Sequence, residues 1–405
     1  MPPTRREAFR FWFRLGFISF GGPAGQIAIM HREVVERRAW LDGRTFMHAL
    51  NFCMLLPGPE ALQLAIWIGW RLHGTPGGIV AGLCFIGPAI LLLLGLSFIY
   101  ALHGEVPAVA AALLGLKATV IALIAQALLR LARRALAHPL HWALAGAALV
   151  LMVAKLAPFP LILAGAALAG LLAHRDATPV APSAPAPFRW KSLATGLALW
   201  GAPAAAIVML AGADSLFADL YRFFTTSALI TFGGAYAVLA WVSQQVVEVH
   251  GWLTQAETIA GLALAETTPG PLIIVLQFIG FMAGWNGSGG DPATATVAAL
   301  LTSWATFLPS FVFILVGAPY IERLAANVRL AGALAGITAA VVGVIGSLAV
   351  AFGRNVLIPA GLSAPEWGAI VIALGALLVL ERTRLDVPWV IAGGAAAGLA
   401  LGYAA

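Results

Sequence analysis

The sequence predicts an all-α polytopic membrane protein made of two inverted-topology repeats. Scarce charge, an internal repeat and an asymmetry of basic residues between aligned loops carry that prediction. Of the 405 residues, 61% are apolar and 10% charged, against roughly a quarter charged in soluble domains. The apolar stretches run to roughly 15–25 residues, sized for a hydrocarbon core of about 30 Å. A soluble enzyme of ordinary domains is excluded, and the lipid bilayer is the implied surrounding. The 23 lysines and arginines exceed the 17 acids, but they lie in short clusters between apolar stretches, not on one dense basic face. No nucleic-acid partner is expected. Cys53 and Cys84 both fall inside apolar stretches and the eight histidines are scattered, so neither a disulfide framework nor a metal site is implied. No cofactor motif is present. Arg5, Arg6, Arg10 and Arg14 precede and enter the first apolar segment without a small-residue cleavage site after it, so that segment is expected to remain in the protein.

The repeat runs through nearly the whole chain. Phe20-Gly21-Gly22 aligns with Phe232-Gly233-Gly234, Val34-Val35-Glu36 with Val246-Val247-Glu248, and Pro57-Gly58-Pro59 with Pro269-Gly270-Pro271. Beyond an insertion at Asn286–Pro292 the register shifts, pairing Pro88 with Pro309, Gly115 with Gly336 and Arg133 with Arg354. Near the ends Pro160 pairs with Pro388 and Gly170 with Gly398. Four units follow: a first repeat over 1–175, a proline-rich linker over 176–191, an extra transmembrane helix over 192–214, and a second repeat over 215–405. The linker, with Pro179, Pro182, Pro185 and Pro187, cannot span a membrane. The extra helix reverses the direction of all that follows it. Basic residues agree: the loop 31–44 carries Arg32, Arg37, Arg38 and Arg44, whereas the aligned loop 243–257 has no lysine or arginine. By the positive-inside rule the N-terminus and the first loop are cytoplasmic, and the twin loop and the C-terminus are outside.

Residues 9–30 and 45–70 have basic residues at both ends and are interrupted by Gly21-Gly22-Pro23 and Pro57-Gly58-Pro59. Glycine and proline break the helical ladder, and broken backbone at membrane depth persists only where protein or water satisfies it. Each half-segment of about ten residues would be about 15 Å long. Two re-entrant helical hairpins per repeat are therefore predicted, with tips near the midplane. Continuous spans follow at about 78–102, 106–130, 140–155 and 158–173, then 193–213; the second repeat adds about 293–317, 331–353, 365–380 and 388–404. The stripes Gly78-x3-Gly82, Gly332-x3-Gly336 and Gly394-x3-Gly398-x3-Gly402 suit close helix contact, within the chain or in a homodimer.

A helix N-terminus presents unpaired amides and about half a positive charge, a ready anion site. Gly21, Gly22 and Pro23 would open one helix, with first amides from Ala24 onward and Gln26 in its first turns. Pro57, Gly58 and Pro59 would open another, followed by Glu60 and Gln63. Gly233, Gly234 and Ala235, and Pro269, Gly270 and Pro271, supply the corresponding breaks of the second repeat. Four such ends meeting at one point would make a receptor for a small anion; proline kinks with a packing role are the alternative. Lys117 lies at the centre of a span, where a charge is a functional candidate. It would either face the anion or pair with Glu60. Glu266 precedes the second Pro-Gly-Pro and is the better candidate to carry a coupled proton, with Glu60, beside a helix N-terminus, the second. No HExxH, GxSxG or P-loop motif is present, so no catalytic residue is assigned and an enzyme is not expected.

Two groups of motifs resemble the chromate ion transporter family. One is Phe20-Gly21-Gly22-Pro23-Ala24-Gly25-Gln26 with Leu56-Pro57-Gly58-Pro59-Glu60 and Gln63-Leu64-Ala65. The other is Thr231-Phe232-Gly233-Gly234-Ala235 with Ala265-Glu266-Thr267-Thr268-Pro269-Gly270-Pro271. The resemblance covers both halves, as in long-chain, two-domain members, although Leu62 and Ala235 stand where the family pattern has glutamine and glycine. It implies a bacterial or archaeal inner-membrane carrier exporting chromate, an anion with sulfate's shape and charge. The driving energy would come from the membrane potential or proton gradient. A sulfate or other small-oxyanion carrier is the alternative, and a membrane-embedded enzyme or structural subunit the more distant one.

Overall fold

The computed structural model describes residues 3–20, 22–173, 190–317, 328–361, 363–383 and 385–404. Gly21, nearly all of the proline-rich linker, and the basic residues Arg175, Arg189, Arg323 and Arg384 lie outside the described residues. Among those described, every regular element is a helix.

In the first half, α1 (Arg5–Ile18) and α2 (Gly22–His31) flank the first glycine break, and α2 runs into a π turn over Arg32–Arg37. α3 (Gly43–Cys53) ends before the Pro-Gly-Pro segment, and α4 (Glu60–His103) begins just after it. α4 is two limbs: at His73–Gly74 the backbone leaves the helix, with Gly74 at φ 67°, a region glycine enters without steric cost. The limbs then run back to back so closely that a Cβ on Gly69 would collide with the Gly77 carbonyl. α5 (Pro107–Ala135), α6 (Pro139–Val153) and α7 (Phe159–Ala173) complete the half, and α8 (Trp190–Ala211) follows.

The second half repeats the order. α9 (Leu216–Leu229) and α10 (Ala235–Gln244) flank the second glycine break, with a π turn over Gln245–Val249. α11 (Gln255–Glu266), a 3₁₀ turn (Leu272–Ile274) and α12 (Val275–Gly287) flank the second Pro-Gly-Pro. α13 (Pro292–Gly317), α14 (Val328–Leu357), α15 (Trp367–Arg382) and α16 (Val387–Ala404) complete it. Even local backbone repeats: aligned Ala39 and Gly251, just beyond the two π turns, both have positive φ, 49° and 62°.

Among the described residues, five helices are long and apolar enough to cross a membrane: α4, α5, α8, α13 and α14. In α4 the straight part of sufficient length is the second limb. α6 and α7, at 15 residues each, are about 22 Å long, short of a full core.

The halves interlock reciprocally. α5 packs on α15 and α16, and its twin α14 packs on α6 and α7. Close approaches are also paired. A Cβ on Gly115 would overlap the Gly394 carbonyl, and one on the aligned Gly336 would overlap the Ala166 carbonyl. Dispersion contacts over such close backbones hold membrane helices together where lipid removes the hydrophobic drive. All three glycine stripes are engaged within the chain: Gly78 and Gly82 against Ile66, Gly336 against Gly170, and Gly394, Gly398 and Gly402 against α5. Gly115→Val or Gly336→Val should force these helices apart, costing about 1–3 kcal/mol or more. Thermal unfolding in detergent checks this, as an earlier melt for each variant than for an alanine substitution at Gly146, where a Cβ meets open space.

Candidate functional site

Helix starts in this chain are of two kinds. α1, α3, α9 and α11 begin with Thr4, Asp42, Ser215 and Thr254, whose side chains accept from first-turn amides. Such caps satisfy orphan donors of the first turn. α4, α10 and the 3₁₀ turn leading into α12 follow Pro59, Gly234 and Pro271, and none of these has a side-chain cap. At these three starts the residue before the helix supplies no side-chain acceptor to the first-turn amides at the positive end of the dipole.

The breaks meet crosswise. Gly58 N–H donates to the Thr231 carbonyl at 2.8 Å, and the aligned Gly270 N–H donates to the aligned Ser19 carbonyl, also at 2.8 Å. The glycine break of each half is thus tied to the Pro-Gly-Pro break of the other. Both glycines have left-handed backbone, φ 118° and 98°, and each faces an aligned partner: Gly58 lies against Ser310 and Gly270 against Ala89. The first half adds two glutamine braces. Gln26 Nε2 donates to the Gly270 and Ser19 carbonyls at 2.5 and 3.1 Å, and Gln63 Nε2 donates to the Pro57 carbonyl at 2.7 Å. Their aligned positions are Val238 and Val275, so the second half lacks both.

One cavity of about 450 Å³ lies where these elements meet. First-turn residues of all four break helices line it: Pro23 and Ala24, Glu60 and Ala61, Ala235 and Tyr236, Leu272 and Ile273. Of the residues singled out in sequence, Gly22, Gln26, Gly58, Pro59, Gly233, Gly234, Glu266 and Pro271 also line it. Pro57, Gln63, Pro269 and Gly270 do not; they build the breaks behind the lining. Tyr236, in the first turn of α10, donates its phenol proton to the carboxylate of Glu266, the last residue of α11. The aligned Ala24 and Met54 form no such pair.

Lys117 is not part of this cavity. It lies 13 residues before Arg130 on α5, about 20 Å along the axis, and within electrostatic reach of Glu257 at the start of α11. No ion pair joins it to Glu60 among the described residues.

The cationic groups that do line the cavity are Arg130 and Arg134. With Leu123 and Ala127 they form a stripe at helical spacing on α5, since residues four apart share a face. Gln126, beside them, is fixed by donating to the Leu380 carbonyl at 2.9 Å. In sequence these arginines belong to one of the short basic clusters between apolar stretches. Their spacing, i and i+4 at the end of a span, was the available signal.

The chromate transporter family model matches residues 6–171 and 218–399. The chain is 32% identical over 351 residues to the chromate transport protein of Pseudomonas aeruginosa, covering 85% of this chain and 80% of that protein. It is 28% identical over 399 residues to the chromate transport protein of Cupriavidus metallidurans, covering 98% and 93% respectively. No solved structure matches. With its apolar spanning helices and family match across both halves, this multi-pass membrane chain belongs to the chromate transporter family.

Proposed function

We propose that this chain is a secondary transporter exporting chromate from the cytoplasm, through a site formed where the four helix breaks meet. The observation that carries this reading is the single cavity lined by four helix starts, with no side-chain cap on the three whose preceding residue is described. Helix-end amides and dipole ends suit a compact anion with oxygens on all sides, and the cavity exceeds the volume of one tetrahedral oxyanion. The reciprocal Gly58–Thr231 and Gly270–Ser19 bonds support inverted repeats related by an axis in the membrane plane, with the breaks as re-entrant tips at midplane. Rocking of one half against the other would expose such a site alternately to each side. The positive-inside orientation puts Arg130 and Arg134 at the cytoplasmic end, so the cavity in this conformation is loaded from the cytoplasm. The N-terminus is then cytoplasmic and the C-terminus outside, in a bacterial or archaeal inner membrane.

Proton coupling would reside in the two acids of the cavity, Glu266 first and Glu60 second. Protonation removes negative charge facing an incoming dianion, which ties anion entry to proton uptake. Sulfate shares chromate's charge and tetrahedral shape and fits the same donors. Purified protein in proteoliposomes is expected to move labelled chromate when a proton gradient is imposed, with excess sulfate reducing the flux. Absence of chromate flux under any imposed gradient removes this reading; sulfate flux in its place makes the protein a sulfate carrier.

A further inference from the structure

Repeat symmetry makes the two faces of this protein comparable residue by residue. The cavity runs from the breaks to the end of α5, where Arg130 and Arg134 line it and are exposed. The neighbouring Arg133 faces Glu381 at 3.7 Å. Neither Arg130 nor Arg134 has an acidic partner among the described ion pairs. They are two positive charges at the cavity's outer end, with no described acid within ion-pair distance. On the twin helix α14, Arg133 aligns with Arg354, so that charge is common to both halves. Arg130 and Arg134 align instead with Ala351 and Asn355, both exposed. When the halves exchange conformations, these two would flank the opposite mouth. One mouth therefore carries a cationic pair, and its mirror counterpart carries none.

We infer that Arg130 and Arg134 form an anion-collecting vestibule on one face only, making chromate capture kinetically asymmetric across the membrane. The inference rests on the transport reading above and deepens it. A mouth carrying charge of one sign between low-dielectric walls focuses its field and raises local counter-ion concentration, increasing association rates by about 10–10³. Here that mouth is the arginine end, and the acids Glu60 and Glu266 lie at the breaks. A dianion gains twice as much as a monovalent ion from the same potential. At the opposite mouth the missing pair removes that focusing and lets the anion leave. This asymmetry sets rates and half-saturation, not the thermodynamic direction, which the gradients determine.

Initial rates of chromate transport as a function of concentration, measured in everted and in right-side-out membrane vesicles, test this. The wild type is expected to show the lower KM on the cytoplasmic face, rising steeply with ionic strength. Arg130→Gln/Arg134→Gln should raise that KM at least about tenfold and flatten its salt dependence, leaving the outer-face KM unchanged, a loss at the lower end of the focusing range. Arg130→Lys/Arg134→Lys keeps the charge and should recover most of the low KM. Installing the missing pair, Ala351→Arg/Asn355→Arg, should lower the outer-face KM. An unchanged KM in the glutamine pair, an equal shift on both faces, or no recovery with lysine would overturn the vestibule while leaving transport intact. If the wild type moved chromate from neither face, the transport reading itself would fall and the asymmetry with it.

Discussion

A Gly270→Val protein is expected to reach the membrane folded and to transport chromate at least about a hundredfold more slowly than the wild type, about 2.7 kcal/mol at 1.36 kcal/mol per tenfold. Gly270 sits at φ 98°, where a β-branched residue is a genuine outlier and the strain is of order 1–3 kcal/mol. Its new Cβ would also lie 3.0 Å from the Ala89 side chain. The backbone would relieve this by rotating the peptides on either side of residue 270, the first of which now bonds Ser19 through its N–H and the second of which accepts from Gln26 through its carbonyl. That rotation moves Pro271 and Leu272, which line the cavity. The twin substitution Gly58→Val meets Ser310 Oγ at 2.8 Å and Gln63 Nε2 at 2.9 Å and should do the same. Elution as a single species in detergent distinguishes a dead site from a misfolded chain. A folded Gly270→Val protein with near-normal flux would show that this break is no part of the path.

Glu266→Gln should separate the anion step from the proton step. Glutamine retains the shape of the carboxyl group and can still accept from the Tyr236 phenol, so packing between α10 and α11 is preserved. It cannot exchange a proton. Flux driven by an imposed pH gradient is expected to fall at least about tenfold, whereas exchange of internal for external chromate should persist. Tyr236→Phe removes the phenol donor and keeps the carboxylate, so gradient-driven flux should be reduced less than in Glu266→Gln. A normal response of Glu266→Gln to the pH gradient would move the coupling role to Glu60, the other acid of the cavity.

The breaks were legible because glycine and proline punctuate a helix wherever they occur, and because the repeat marks the same punctuation twice. The crossing of partners was not. Nothing in the strings around Gly58 and Thr231 says that the second break of one half bonds the first break of the other; that depends on how two interlocked halves pack. Lys117 illustrates the limit of reading charge by depth alone. Depth in a span singles out Lys117, whereas the cationic groups that line the cavity, Arg130 and Arg134, stand at the far end of α5. Gln63 shows a subtler gap: the sequence marks it as part of the motif, and the structure uses it to brace the Pro57 carbonyl, behind the lining. Tyr236 carries no signal of its own in the sequence, because its hydrogen-bond partner Glu266 lies 30 residues away.

The most direct test of the account is to locate chromium in the protein bound to chromate, by anomalous scattering at the chromium edge. The account predicts one strong peak between the first turns of α2, α4, α10 and the 3₁₀ turn before α12, within hydrogen-bonding distance of their backbone amides. A peak confined to another surface, with none at the breaks, would contradict it.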